Sequence, residues 1–540
     1  MSDKPHHRTQ VSIFEGVVVF FLLFFYLALL VQPINMQTAD LGRHLKNGQI
    51  FFQDWQIPQT NLYSYTYPDR PFINHHWGTG VIFYAVYTLG DFPGLSLFFI
   101  ALSLLTFFIF WKIAKLLGAD FRLTALIALV VIPILASRVE IRPEVFSYLF
   151  LGIFFWILLS WQKDRLPARW LIILPLLELL WVNIHIYFFL GGAVVLAFIL
   201  ENIYDFYIRK NNLAKDKLRP SVERGSTESS RTNVKKLIAV LAGLGLAVLL
   251  NPSGYHGALY PLFIMKDFGY RLFENQSFWF IENLFSYPPA LYFKILLAVF
   301  IAGWVWRIIS AISKKSSFSP AVFLLSVFFV YLALTAVRNF AVFGYLALAV
   351  APANLSFPAG THTGRRSNFL AAILLIITLS LILVINPGFW RTRPGFGLGL
   401  IENTDKSMEF FKKENLRGPI LNNYDNGGYL IFHLYPQEKV FVDNRPEAYP
   451  LSFFQDTYIP LQEDNNKFLE VDQKYNFNVI YFWRHDLTPW GQKFLVSRID
   501  DTAWAPVYLD DFAIIFLKRN KQNATVIDTY EIPRNQFQPQ

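Results

Sequence analysis

Val17-Val-Val-Phe-Phe-Leu-Leu-Phe-Phe-Tyr-Leu-Ala-Leu-Leu-Val31, followed shortly by Asp40-Leu-Gly-Arg-His44-Leu-Lys-Asn-Gly48, decides the reading of this chain. The first run carries no charge and extends an apolar segment that begins near Val11. It meets the roughly 20 residues that a bilayer core of about 30 Å demands. A secretory signal would have a shorter apolar core and a small-residue cleavage site, and none follows here. Comparable blocks recur at Leu95–Trp111, Leu123–Ala136 and Val145–Trp161. They explain a composition in which 54% of 540 residues are apolar and only 16% charged, against about a quarter charged in soluble proteins. A soluble enzyme and a disordered chain are excluded. So is a disulfide scaffold, because there is no Cys.

The formal net charge of +9 is a topology label and no sign of nucleic-acid binding. Basic residues cluster in alternate loops: Lys112, Lys115 and Arg122; Lys163, Arg165 and Arg169; Arg209 to Lys236; Arg307, Lys314 and Lys315; Arg365 and Arg366. All five clusters lie on the cytoplasmic side, as the positive-inside rule requires, if Trp77–Leu89 is too short to span and forms an interfacial or re-entrant helix. The expected spans are 11–31, 94–112, 121–137, 144–162, 170–186, 187–206, 236–251, 289–307, 319–337, 339–355 and 368–386. Eleven helices place the N-terminus in the cytoplasm and the C-terminus outside a plasma membrane, with bilayer lipids around them. Residues 210–235 are polar and aperiodic and read as a mobile cytoplasmic loop. No internal repeat is present, so the inverted halves of many transporters are not expected.

The outer loops of this topology hold the chemistry. The first, 32–93, opens with Asp40 and His44, which share a face if 38–47 is helical. Asp40 reads either as a helix N-cap or as an ionisable group kept at the membrane boundary for a purpose. The same loop carries Tyr63-Ser-Tyr-Thr-Tyr67 and Asn74-His75-His76-Trp77. The second, Arg138-Val-Glu140-Ile-Arg142-Pro143-Glu144, begins a helix at Pro143, which leaves Arg142 unexplained: a cation at a helix N-terminus needs an anion nearby. Asn183, His185 and Arg338 mark further outer boundaries, and together these residues point to one shared polar cavity. Glu178, an acid inside a span, is either the cavity floor or an ion-pair partner. Phe278, Trp279 and Phe280 suit an aromatic belt or a lipid-tail groove equally.

From about Ile401 the composition becomes globular. Strands are expected at Pro419–Asn423, Lys439–Val442, Val479–Trp483 and Ala513–Lys518, with helices at Gly428–Tyr435 and Trp490–Ile499. The fold class is therefore mostly α: a polytopic α-helical membrane unit, residues 1–386, followed by a small soluble extracytoplasmic α/β domain, residues 401–540. Asp425, Asp443 and Arg445 follow expected strands, where α/β sheets commonly bind ligands. The paired Gly427 and Gly428 there serve a ligand loop or only a tight turn. No GxGxxG and no P-loop is present.

Asp40…His44…Gly48, Tyr63-Ser-Tyr-Thr, His76-Trp77, Arg142-Pro-Glu144, Trp181-Val-Asn183-Ile-His185, Gly427-Gly428-Tyr429 and Val442-Asp443-x-Arg445, in this order, resemble a bacterial branch of the GT-C polytopic glycosyltransferases. The resemblance spans nearly the whole chain through short motifs. It implies a polyprenyl-phosphate-linked sugar as donor and inversion by direct displacement. Asp40 then takes the place of the loop-one catalytic acid and serves as base, and Glu140 or Glu144 stands for a second acid. Asp40 is followed by Leu where eukaryotic mannosyltransferases have a second acid, and loop two offers Glu in place of Asp. On chemical grounds Arg138, Arg142 and Arg338 suit the departing phosphate, with His44, His76, Trp77, Asn183 and His185 as substrate contacts. No cofactor is otherwise implied, although Asp40 and His44 are alternatively the start of a divalent-metal site. The acceptor, whether glycan, lipid or protein, is open. The rival readings are a flippase for lipid-linked glycans and a non-catalytic membrane scaffold.

Overall fold

The computed structural model describes residues 13–537 except 216–219, 265, 267, 285, 314–317, 357–364, 392 and 394, and of 209–215, 220–229 and 365–369 only the backbone. Helices α1 Ile13–Leu30, α2 Leu41–Asp54, α3 Trp77–Leu117, α4 Phe121–Leu135, α5 Glu144–Gln162, α6 Ile173–Ile184, α7 Phe189–Lys215 and α8 Pro220–Ala247 make the first half. Short α9 Gly254–Leu259 and α10 Phe278–Leu284 precede α11 Pro289–Ile312, α12 Pro320–Thr335, α13 Phe340–Leu355 and α14 Arg365–Ile385. Every expected span coincides with a helix. Among the described residues α1, α3, α5, residues 186–208 and α11 are long and apolar enough to cross a membrane, and α4, α12 and Leu370–Ile385 are shorter apolar helices.

Burial arranges the bundle. Helices α5 and α13 are buried along nearly their whole lengths and form its centre, whereas α1 exposes Val17, Phe20, Phe21 and Phe24. Helix starts follow local chemistry: the Asp120 carboxylate accepts from the backbone N–H of Arg122 and Leu123, and Ser319 caps α12 ahead of Pro320. Trp77–Leu89 is helical, as expected; a kink at Asp91, φ 53°, just ahead of Pro93, separates it from the second helix of α3, which continues to Leu117. The expected mobile loop at 210–235 is a correction: α7 runs to Lys215, α8 starts at Pro220, and the two pack side by side. A polar aperiodic stretch can remain helical when both flanking helices already supply nucleated turns. Lys217, Arg219, Lys314 and Lys315 lie outside the described residues.

The tail holds a four-stranded sheet of order β1-β2-β4-β3, with β1 Ile420–Asn422, β2 Val479–Trp483, β3 Trp504–Leu509 and β4 Ala513–Lys518. β1 and β2 are parallel and the other pairs antiparallel, with a register shift at Pro506 on the edge strand β3. Lys439–Val442 is not a strand. Val440 makes single bridges to Ser64 and Ile420, because the Asn422 side chain accepts from Phe441 N and donates to Val442 O where a ladder would run. The long outer loop is clamped to the tail: Ser64 and Thr66 hydroxyls donate to Phe441 O, and Ile34 pairs with Leu400.

Helix α2 lies between both halves. A Cβ on Gly42 would collide with the backbone carbonyl of Gly428, and one on Gly48 with that of Gly80. Gly427 and Gly428 serve this approach and not a tight turn: neither has a positive φ, and a Cβ on Gly427 would meet Asp443 Cα at 2.5 Å. Gly42→Ala should therefore lower stability by about 1–3 kcal/mol through overpacking. Gly245→Ala, whose Cβ meets nothing within 4 Å, should leave it unchanged or slightly raised. Thermal unfolding midpoints in detergent compare the two.

Candidate functional site

The second outer loop, the start of α5, the segment before α10 and the turn before α13 bring six charged groups together. Arg138 Nη1 and Arg142 Nη1 donate to Glu274 Oε2 at 3.0 and 2.6 Å, and Arg338 Nη1 lies 3.8 Å from Glu274 Oε1. Arg138 Nε also donates to Glu144 at 3.0 Å, Arg142 pairs with the exposed Glu140 at 2.6 Å, and Arg338 donates to Asn275 Oδ1 at 2.9 Å. The anion that Arg142 requires is thus Glu274. Burial alone would raise its carboxyl pKa, but Arg142, Arg138 and Arg338 hold it well below the ordinary range. Sequence reading missed Glu274, although Glu274-Asn-Gln-Ser277 is a polar island in an aromatic loop.

Asp40 stands at the N-cap position of α2 but caps nothing; Asn444 Nδ2 donates to its Oδ1 instead. Its carboxyl is raised by burial against the pull of Arg142 and Arg43. Arg43, passed over in the sequence, is 4% exposed, and its Nε has no hydrogen-bond partner among the described residues. Asp425 feels Asp486, Asp40 and Arg142, and burial first, then the two acids, push it up to about 7. The tail therefore contributes Asp425 and Asn444 to the surroundings of Asp40.

Four histidines line the same region. The His44 and His76 ring centroids are 5.4 Å apart, His75 and His76 3.8 Å, and His76 stacks on His185 at 5.2 Å. Neither His44 nitrogen nor His76 Nε2 has a hydrogen-bond partner among the described residues. Burial lowers His44 and His76 well below the usual imidazole value and His75 to about 4, so all three are neutral near pH 7.

Other candidates have structural duties. Trp77 Nε1 donates to Asn183 Oδ1 at 2.8 Å while Asn183 donates to Leu179 and Leu250 carbonyls, tying α3 to α6 and the end of α8. Asp443 and Arg445 form a sealed pair, 0% and 1% exposed, with Arg445 also donating to Asn61 at 2.6 Å and packing over Tyr63 and Phe72. That pair clasps loop one to the tail and is closed to ligand. Glu178 has no charged partner and lies against Gly191, its Oε2 unbonded among the described residues. No three His, Asp or Glu side chains among the described residues are grouped to hold a metal ion. Glu274 is neutralised by arginines, and Asp40 Oδ1 accepts from Asn444 Nδ2.

The fold, a helical bundle followed by a small C-terminal sheet, has solved counterparts. The archaeal oligosaccharyltransferase AglB from Archaeoglobus fulgidus, in complex with an inhibitory peptide and a dolichol-phosphate, matches with TM-score 0.55 at 12% identity over 93% of this chain and 74% of that one. The same organism's oligosaccharyltransferase tethered to an acceptor peptide containing the NVT sequon gives TM-score 0.58 at 12% identity, covering 94% and 74%. The chain has a GT-C fold. The apo form of the A. fulgidus enzyme matches likewise, with TM-score 0.54 and 12% identity over 87% and 69%. No protein-family profile matches the sequence, and no curated protein matches it. The GT-C fold accounts for the mostly helical membrane unit and the small C-terminal sheet alike.

Glu274→Gln leaves the three guanidinium groups without their shared counter-charge. It should cost about 2–3 kcal/mol, less than a fully buried pair because Glu274 retains some solvent access, and added sulfate should recover part of the loss. Unfolding midpoints with and without sulfate measure this. His75, low in the fold and ordinary when unfolded, contributes stability that is complete above about pH 6.5 and lost as pH falls towards 4. His75→Asn should flatten the fall in unfolding midpoint across that window, by up to about 1.4 kcal/mol per pH unit.

Proposed function

We propose that the chain is a membrane glycosyltransferase that moves a sugar from a polyprenyl-phosphate donor to an acceptor hydroxyl on the extracytoplasmic side, with inversion. One observation carries this reading: three arginines converge on a single anionic position in the same buried site as a carboxylate held high by burial. The fold likeness to an enzyme solved with dolichol-phosphate adds support. The eleven helices are read as crossings, with the basic clusters in the cytoplasm and the tail outside.

In the reaction Asp40 takes the proton of the acceptor hydroxyl. The freed oxygen attacks the anomeric carbon, and the carbon–oxygen bond to phosphate breaks on the opposite face. The bonding pair leaves with the phosphate, whose charge Arg138, Arg142 and Arg338 meet. Asn444 orients the Asp40 carboxylate, and a raised pKa makes that carboxylate a stronger base than a solvated one. A second candidate base is Asp425, pushed up to about 7, close to the value a base needs at neutral pH.

Asp40→Asn should lower transfer of a radiolabelled sugar from a polyprenyl-phosphate donor by about 100-fold or more, with insertion and unfolding midpoint preserved. Full activity in that variant with loss in Asp425→Asn would move the base to Asp425. Full activity in both would refute the mechanism.

A further inference from the structure

Behind the arginines three buried side chains are joined end to end, and the reaction above gives them no task. Trp181 Nε1 donates to Ser147 Oγ at 2.7 Å, and Ser147 Oγ lies 2.7 Å from His185 Nδ1. Ser147 and Trp181 are 0% exposed and His185 1%. An indole N–H can only donate, so Ser147 Oγ accepts from Trp181. The hydroxyl has one proton to place. It makes no bond to the carbonyl one turn back, as Ser326 does to Val322, and His185 Nδ1 is its only acceptor among the described residues. The serine hydroxyl therefore donates to Nδ1. A doubly protonated ring would present Nδ1–H to that hydroxyl and strand the serine proton. The ring is thus neutral with its proton on Nε2.

That nitrogen has no hydrogen bond to any described residue. The ring stacks on His76 at 5.2 Å and meets Tyr187 edge-on at 4.6 Å, and Tyr187 itself lies under the Arg338 guanidinium. We infer that Trp181 and Ser147 hold His185 as the Nε2–H tautomer, so that it presents a fixed neutral donor beside Arg338 to the phosphate of the lipid donor. The inference rests on the proposed function and deepens it. His185 binds the phosphate; Ser147 and Trp181 are positioning residues that never touch it. A neutral donor suits this place because the arginines already supply the positive charge. A further cation would add repulsion within the wall, whereas an N–H dipole adds a directed bond.

Two measurements on the full-length protein test this. Solid-state NMR with 15N-histidine, with His185→Asn subtracted, should show the Nε2–H tautomer at His185 and a mixture of tautomers in Ser147→Ala. An Nδ1–H or doubly protonated ring in the unmutated protein overturns the lock. Binding is measured with a polyprenyl monophosphate and with inorganic phosphate as separate probes. His185→Ala should weaken polyprenyl phosphate by about tenfold to a hundredfold, and His185→Gln, whose amide can place an N–H near Nε2, should recover most of it. Equal loss in the Gln and Ala variants, or no loss in either, overturns the donor role. Loss in Arg338→Ala without loss in His185→Ala sinks this inference and leaves the proposed function standing. No polyprenyl-phosphate binding by the unmutated protein, or loss confined to inorganic phosphate, overturns both.

Discussion

Buried positive charge governs this structure. Arg138, Arg142 and Arg338 are gathered at one end of an apolar bundle, where an unpaired guanidinium is far more costly than at a surface. Glu274 answers that constraint by placing one carboxylate among all three, Glu140 pairs with Arg142 and Glu144 with Arg138, and Arg142 Nε and Arg338 Nε keep no hydrogen-bond partner among the described residues. The consequence reaches well beyond the cluster. The segment bearing Glu274 must fold over the bundle's end, and the first turn of α5 must begin where Glu144 can reach Arg138. A site that holds its own anion in this way is also one prepared for an anionic ligand, since the charge is already gathered and oriented.

A second constraint is steric. Helix α2 can lie flat between α3 and the tail only because Gly42, Gly48, Gly80 and Gly428 carry no side chain at the contacts. That approach carries Asp40 to Asn444 and brings Asp425 within its electrostatic reach. It also leaves Arg43, His44, Lys46 and Asn47 buried in what is by composition a polar helix. The tail sheet is therefore no independent appendage to the bundle. Its Gly427–Leu434 helix packs against α2 at Gly42, its Val442–Arg445 segment brings Asn444 to Asp40, and Arg445 clasps loop one through Asn61.

The membrane unit was legible in the sequence because apolar runs and basic clusters are local properties, and each expected span became a helix. Three tail strands, expected at Pro419–Asn423, Val479–Trp483 and Ala513–Lys518, were readable for the same reason. Where a local pattern competed with a tertiary partner it misled. Asn422 captured the backbone of 441–442 and prevented a strand there, and Asn444 took the carboxylate that would otherwise cap α2.

What the sequence determined by itself was the chemistry available: apolar spans, an acid after the first helix, arginines and histidines at the ends of apolar runs. The tertiary structure alone decided which of these meet. Glu274 is distant in sequence from Arg138 and Arg338, and Asn444 from Asp40, so no spacing rule could have paired them. It also decided which candidates are sealed away: Asp443 and Arg445 are paired with almost no exposure. Periodicity and composition are written along the chain. Burial and Coulomb partners depend on what the folded chain brings alongside, and there the site was made.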